Sequence, residues 1–150
     1  MAMKETERSL RWYFLLAGGI TVVVALITLS DLSKLPPLPT KLTAPVWYSA
    51  ISRLLFGAGY LVAGFSLKNA LLSGGRWIQH LVMASGASLI LELVWNLANQ
   101  SGGSGAYQGG HVAGGLIGIG VRIAIVAYLY ANIRRLSAEA QARTAGTAFE

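Results

Sequence analysis

The chain has 150 residues, 54% of them hydrophobic and 12% charged, with no cysteine and a formal net charge of +6. An ordinary soluble domain carries about 25% charged residues, and 18 glycines suit membrane helices, which use Gly more often than soluble ones. The missing cysteines exclude disulfides, thiolate metal sites, Cys nucleophiles and Cys-ligated iron–sulfur clusters, and the length leaves room for one domain, residues 1–150.

Met1 opens a short, mixed-charge head that ends at Arg11. A first apolar helix is predicted over residues 12–30, about 28 Å long and so close to the hydrocarbon thickness of a bilayer. Trp12 and Tyr13 stand at its boundary, as interfacial aromatics do. No small-x-small cleavage signature follows it, so it reads as a retained span rather than a signal peptide. Gly18, Thr21, Ala25 and Thr28 form a small-residue face on this helix.

A connector holding LPPLP disfavours helix. Thr43 and Pro45 then suit a cap and a first turn, so the second helix is predicted over residues 45–67. On it Arg53, Gly57, Tyr60 and Gly64 share one face, with the glycines allowing close helix approach. After the loop KNALLSGGR, a third helix is predicted over residues 77–98. It carries the stretch around which the chain is organised, SLILELVWNLAN, apolar except for Glu92. His80, Ser88, Glu92 and Asn96 fall on one helical row with Ser85 beside them, a polar stripe on an apolar helix. An uncharged, glycine-rich loop leads to a fourth helix over residues 111–132, where Gly114 and Gly118 repeat the small-residue spacing before Arg122. Residues 133–150 form a polar tail with helical character.

Basic residues set the expected topology. Lys4, Arg8, Arg11, Lys68, Arg76, Arg134, Arg135 and Arg143 fall on one side, and only Lys34 and Lys41 on the other. The expectation is an all-α integral membrane protein, a four-transmembrane-helix up-down bundle with both termini cytoplasmic, in a bacterial inner membrane. This flanking distribution, with no basic stripe interleaved by aromatics, excludes nucleic acid as a partner.

Ionised side chains within hydrocarbon are rare and face a bundle interior, paired. Counting along the helices puts Arg53 and Glu92 each about 10 Å below the outer surface and Arg122 roughly 16 Å below it. The predicted site is a buried Arg53–Glu92–Arg122 cluster, with Tyr60 and Asn96 available to satisfy further hydrogen bonds. Such a cluster fixes helix register, binds a ligand or proton, or contacts a partner subunit. No metal site and no cofactor is expected, because His80 and His111 lie on opposite sides of the bundle. The glycine runs lack the strand and the Gly-Lys-Ser/Thr ending of a phosphate loop, and no nucleophilic triad spacing is present.

The segment RLLFGAGYLVAGFSLKNA, residues 53–70, resembles the Arg-led, glycine-rich helix of the DoxX-like small bacterial membrane proteins. That resemblance covers 18 of the 150 residues and implies a compact four-helix protein linked to redox modules as an accessory subunit. Here a helix precedes the arginine, which in that family lies near the start of the first helix. Three functions are in competition. The first is a non-catalytic accessory subunit, packed by the bilayer, other membrane subunits or a second copy. The next is a small transporter or ligand-binding protein using Arg53, Glu92 and Arg122. The third, an enzyme or redox carrier, needs a site that the sequence does not display.

Overall fold

The computed structural model describes residues 2–34, 40–99 and 106–146, and within them the side chains of residues 4–34, 46–95 and 117–145. The described residues form four helices: α1 (Ala2–Lys34), α2 (Thr40–Leu72), α3 (Arg76–Asn99) and α4 (Ala106–Gly146). All four contain a stretch long and apolar enough to cross a membrane.

Every helix outruns its predicted apolar span. The span ends where hydrophobicity ends, but a helix continues until a breaker stops it. MKETERSLR and the LSAEAQAR of the tail are rich in residues that hold a helix in water, so α1 starts at Ala2 and α4 runs on to Gly146. At 41 residues α4 is about 60 Å long, roughly twice the hydrocarbon thickness. α2 begins at Thr40, so Thr43 and Pro45 lie inside it and the predicted cap is displaced. The predicted loop after α2 shrinks to residues 73–75. Gly74 and Gly75 adopt φ of 92° and 65° there. Gly75 N donates to Ala70 O at 2.7 Å and Gly74 N to Leu71 O at 3.1 Å, a Schellman ending that only glycine's backbone makes without strain.

Consecutive helices are antiparallel. Leu15 lies against Gly64 and Val22 against Gly57 across α1 and α2. Tyr60 meets Ser85 and Arg53 meets Glu92 across α2 and α3. Gly86 lies against Val126 and Gly75 against Ile133 across α3 and α4. The order is therefore up, down, up, down, which brings the first residues of α1 and the last of α4 to the end that holds the α2–α3 turn.

α1 packs most extensively on α2, and α1 and α3 are not neighbours among the described residues. The α1–α2 contact is backbone on backbone. A Cβ on Gly18 would stand 2.8 Å from both Gly57 O and Leu61 N, and one on Gly57 would stand 2.9 Å from Val22 Cγ2. Lipid tails are as apolar as leucine, so such close approach, and not expulsion of oil from water, holds helices together in hydrocarbon.

The apolar core is concentrated toward the turn. Leu10, Phe14, Leu67, Leu71, Ile78, Val82, Leu129, Ile133 and Leu136 come from all four helices and are buried together. Outside, Leu16, Ile20, Leu55, Val62, Phe65, Leu91, Ile117 and Val121 are exposed, a surface suited to lipid or to another helix.

Candidate functional site

The polar side chains of the apolar segments converge on the α2–α3 interface. Nearest the turn, the Tyr60 hydroxyl and Ser85 Oγ share a short hydrogen bond, while Ser85 Oγ also donates to Val82 O at 2.9 Å. Farther along, the Tyr48 hydroxyl and Ser88 Oγ are 2.9 Å apart. Beyond them lies Glu92. Its Oε1 accepts from Arg53 Nη2 at 2.7 Å and from Ser49 Oγ at 2.8 Å. Ser49 precedes Arg53 by four residues, so one face of α2 presents both donors to one carboxylate oxygen.

Glu92 Oε2 is different. It is buried, and among the described side chains it is the buried oxygen with no hydrogen-bond partner. A carboxylate held by one oxygen alone leaves part of its charge without a partner in low dielectric. The ion pair itself is partly covered, with 35% of the Arg53 side chain and 14% of the Glu92 side chain exposed.

Among the described residues, Glu92 is paired with Arg53, and Arg122 is not bonded to that pair. Arg122 does reach α3 from α4, but its Nη1 donates to the Leu89 carbonyl at 3.5 Å, one turn from Glu92. That carbonyl is already engaged by the helix, and the distance is at the long limit of a hydrogen bond. The reason is depth. Arg122 was placed about 6 Å deeper than Glu92 by counting residues, and α4 packs on α3 at that deeper level. Asp31, the other acidic residue that could balance the charge, is exposed on α1.

Other predicted site residues are distributed as follows. Tyr60 serves Ser85 and packs edge-on against Phe14, with ring centroids 5.5 Å apart. Gly57 and Gly64 lie against Val22 and Leu15 of α1, where a Cβ on Gly64 would stand 2.8 Å from Leu15 Cδ2. Among the described residues nothing lies within 4 Å of where a Cβ on Gly118 would point. The side chain of Asn96 and the surroundings of Gly114 and His111 fall outside the described residues. His80 is exposed, so the polar row begins at Ser85 and not at His80.

Two participants went unnoticed in the sequence as site residues, Ser49 and Tyr48. Ser49 carried a readable signal, its four-residue spacing from Arg53. Tyr48 carries no such spacing signal, and its long side chain is what lets it reach Ser88. Among the described residues no group of three or more His, Asp or Glu is placed to hold a metal ion.

Chemically, the arrangement joins two helices by a charge-assisted bond and two hydroxyl pairs, and among the described residues Glu92 Oε2 has no hydrogen-bond partner and Arg122 is bonded through Nη1. Comparison of the chain with protein-family models, with curated proteins and with solved structures yields no match.

Proposed function

We propose that the chain is an integral protein of a bacterial inner membrane that spans it four times with both termini in the cytoplasm. In this reading it is a non-catalytic accessory subunit of a larger membrane complex, of the electron-transfer kind that the 53–70 resemblance implies. The observation that carries the reading is the use made of the polar side chains. Tyr48, Ser49, Arg53 and Tyr60 of α2 are engaged with Ser85, Ser88 and Glu92 of α3, so the polar chemistry fastens one helix to another. What faces outward is apolar, including Ile117, Val121, Ile123 and Tyr128 of α4. Buried polar groups that set register are an attested use of such pairs, and an apolar exterior suits lipid and neighbouring subunits.

Two experiments test it. Native mass spectrometry after gentle extraction should find the chain in an assembly of defined stoichiometry; a stable monomer that retains no other subunit overturns the subunit reading. The orientation rests on the positive-inside bias, and the natural sequence has no cysteine to remove. Single cysteines introduced at Lys4, Lys68 and Arg143 should resist a membrane-impermeant thiol reagent in intact cells. One at Lys34 should react.

A second reading, a small transporter or ligand-binding protein, is favoured by one observation, the buried Glu92 Oε2 with no hydrogen-bond partner among the described residues. Unpaired carboxylates in membrane spans mark proton or ion pathways. Flux across liposomes that is unchanged in Glu92→Gln removes this reading.

A further inference from the structure

In the half of the bundle away from the turn, the side chains that reach α3 carry more positive charge than Glu92 balances, while Asp31 is exposed on α1. Arg53 and Arg122 against Glu92 leave a formal surplus of one positive charge. A guanidinium has five N–H donors. Among the described residues Arg53 is bonded through Nη2 to Glu92, and Arg122 through Nη1 to a carbonyl 3.5 Å away. Donors left over in an apolar span are costly unless an acceptor reaches them.

Both arginines address the same part of α3. Their contacts there, Leu89 and Glu92, are three residues apart, about 4.5 Å along the axis and on nearly the same face. Helical side chains lean toward the N-terminus of their own helix. The N-termini of α2 and α4 lie at the same end of this antiparallel bundle, so both guanidiniums lean toward one surface. About a third of the Arg53 side chain is exposed. Glu92 would repel an anion, which therefore belongs on the Arg122 side of the pair.

We infer that Arg122 and Arg53 form a phosphate-binding site in the half of the bundle opposite the α2–α3 turn. Its ligand is a phosphate group of net negative charge, either the diester of an acidic phospholipid or free phosphate. Planar guanidinium forks match phosphate oxygens in geometry, and one negative charge cancels the surplus. Glu92 acts as a positioning residue that holds Arg53 in place. The inference does not rest on the subunit reading, since a lone chain can bind phosphate.

The test uses the full chain, delipidated in an uncharged detergent. Phosphatidylglycerol, phosphatidylcholine and inorganic phosphate are added separately, with lipid adducts counted by native mass spectrometry and phosphate binding read as a rise in melting temperature. Wild type should retain one phosphatidylglycerol under activation that strips phosphatidylcholine, and Arg122→Gln should bind it about tenfold or more weakly, the worth of a charge-assisted bond. Arg134→Gln with Arg135→Gln, changed near the turn end, should retain it. Stabilisation of wild type but not Arg122→Gln by inorganic phosphate shows that the site takes the free ion as well; retention of the lipid without that stabilisation identifies the lipid as the source. Equal binding by wild type and Arg122→Gln overturns the site, as does a wild type that prefers neither ligand to phosphatidylcholine. Where Arg122→Gln fails to fold, Arg122→Lys takes its place, keeping the charge and losing the fork, with the same weakening expected.

Discussion

The two ends of the bundle are held by different forces. At the turn, Leu10, Phe14, Leu71, Ile78, Ile133 and Leu136 pack from all four helices with hardly a polar atom among them. In the other half, α2 and α3 are joined by hydroxyls and an ion pair, Tyr48 to Ser88 and Ser49 and Arg53 to Glu92. Apolar packing is tolerant of register, because a leucine shifted by one turn meets another apolar surface. A carboxylate shifted by one turn meets nothing that satisfies it. The turn end therefore supplies cohesion and the far half supplies register, and the contrast can be broken from either side.

The largest effect is expected at the turn end. Phe14 is fully buried and meets the Tyr60 ring edge-on. Phe14→Ala should cost about 3–5 kcal/mol, the usual range for a large cavity, read from unfolding in mixed micelles by circular dichroism. A loss near zero would mean that cohesion does not lie in this core.

The next effect belongs to the far half. Arg53→Leu leaves Glu92 with Ser49 alone and should cost about 3 kcal/mol, the low end for breaking a buried pair, because a third of the Arg53 side chain is exposed. Replacing both residues by leucine should cost less than either single change, since no orphan charge remains. A double variant as unstable as the sum of the two would refute the view that the pair acts as one unit.

A third, smaller effect lies in the turn that closes the core. Gly75 has φ of 65°, and a Cβ there would collide with Ser137 Oγ on α4. Gly75→Ala should cost about 2 kcal/mol from backbone strain and crowding. Gly118→Ala, where a Cβ meets no described residue within 4 Å, should not lower the unfolding midpoint.

The sequence made the four apolar helices legible because twenty-residue apolar runs have few alternative uses. Helix ends were less legible, because MKETERSLR and LSAEAQAR are polar yet helix-forming, and hydropathy does not register where a helix stops. Counting rise per residue led to the level at which Arg53 and Glu92 meet, since both lie a similar distance from helix ends on one surface. The same count puts Arg122 deeper, so a cluster of all three needs the Arg122 side chain to span the difference. Among the described residues it bonds instead to the Leu89 carbonyl, one turn short of Glu92. Ser49 was readable from its spacing to Arg53, while the pairing of Tyr60 with Ser85 depends on the rotation of α3 about its axis, which spacing alone does not determine.

Tyr60 stands where the two ends meet. Its ring belongs to the apolar end, against Phe14, and its hydroxyl to the polar interface, on Ser85. Tyr60→Phe keeps the ring and removes the hydroxyl, and Ser85 retains its bond to Val82 O at 2.9 Å. The expected loss is about 1 kcal/mol, the net worth of one hydrogen bond, because no buried group is stranded. Tyr60→Leu removes the ring contact as well and should cost more. Measured in the Arg53→Leu background, the Tyr60→Phe loss should be unchanged if the two contacts act independently, as sites about two helical turns apart on α2 generally do. A loss that grows in that background would mean that the hydroxyl pair and the ion pair hold α3 in register jointly, and that the polar interface is one cooperative lock rather than separate fasteners.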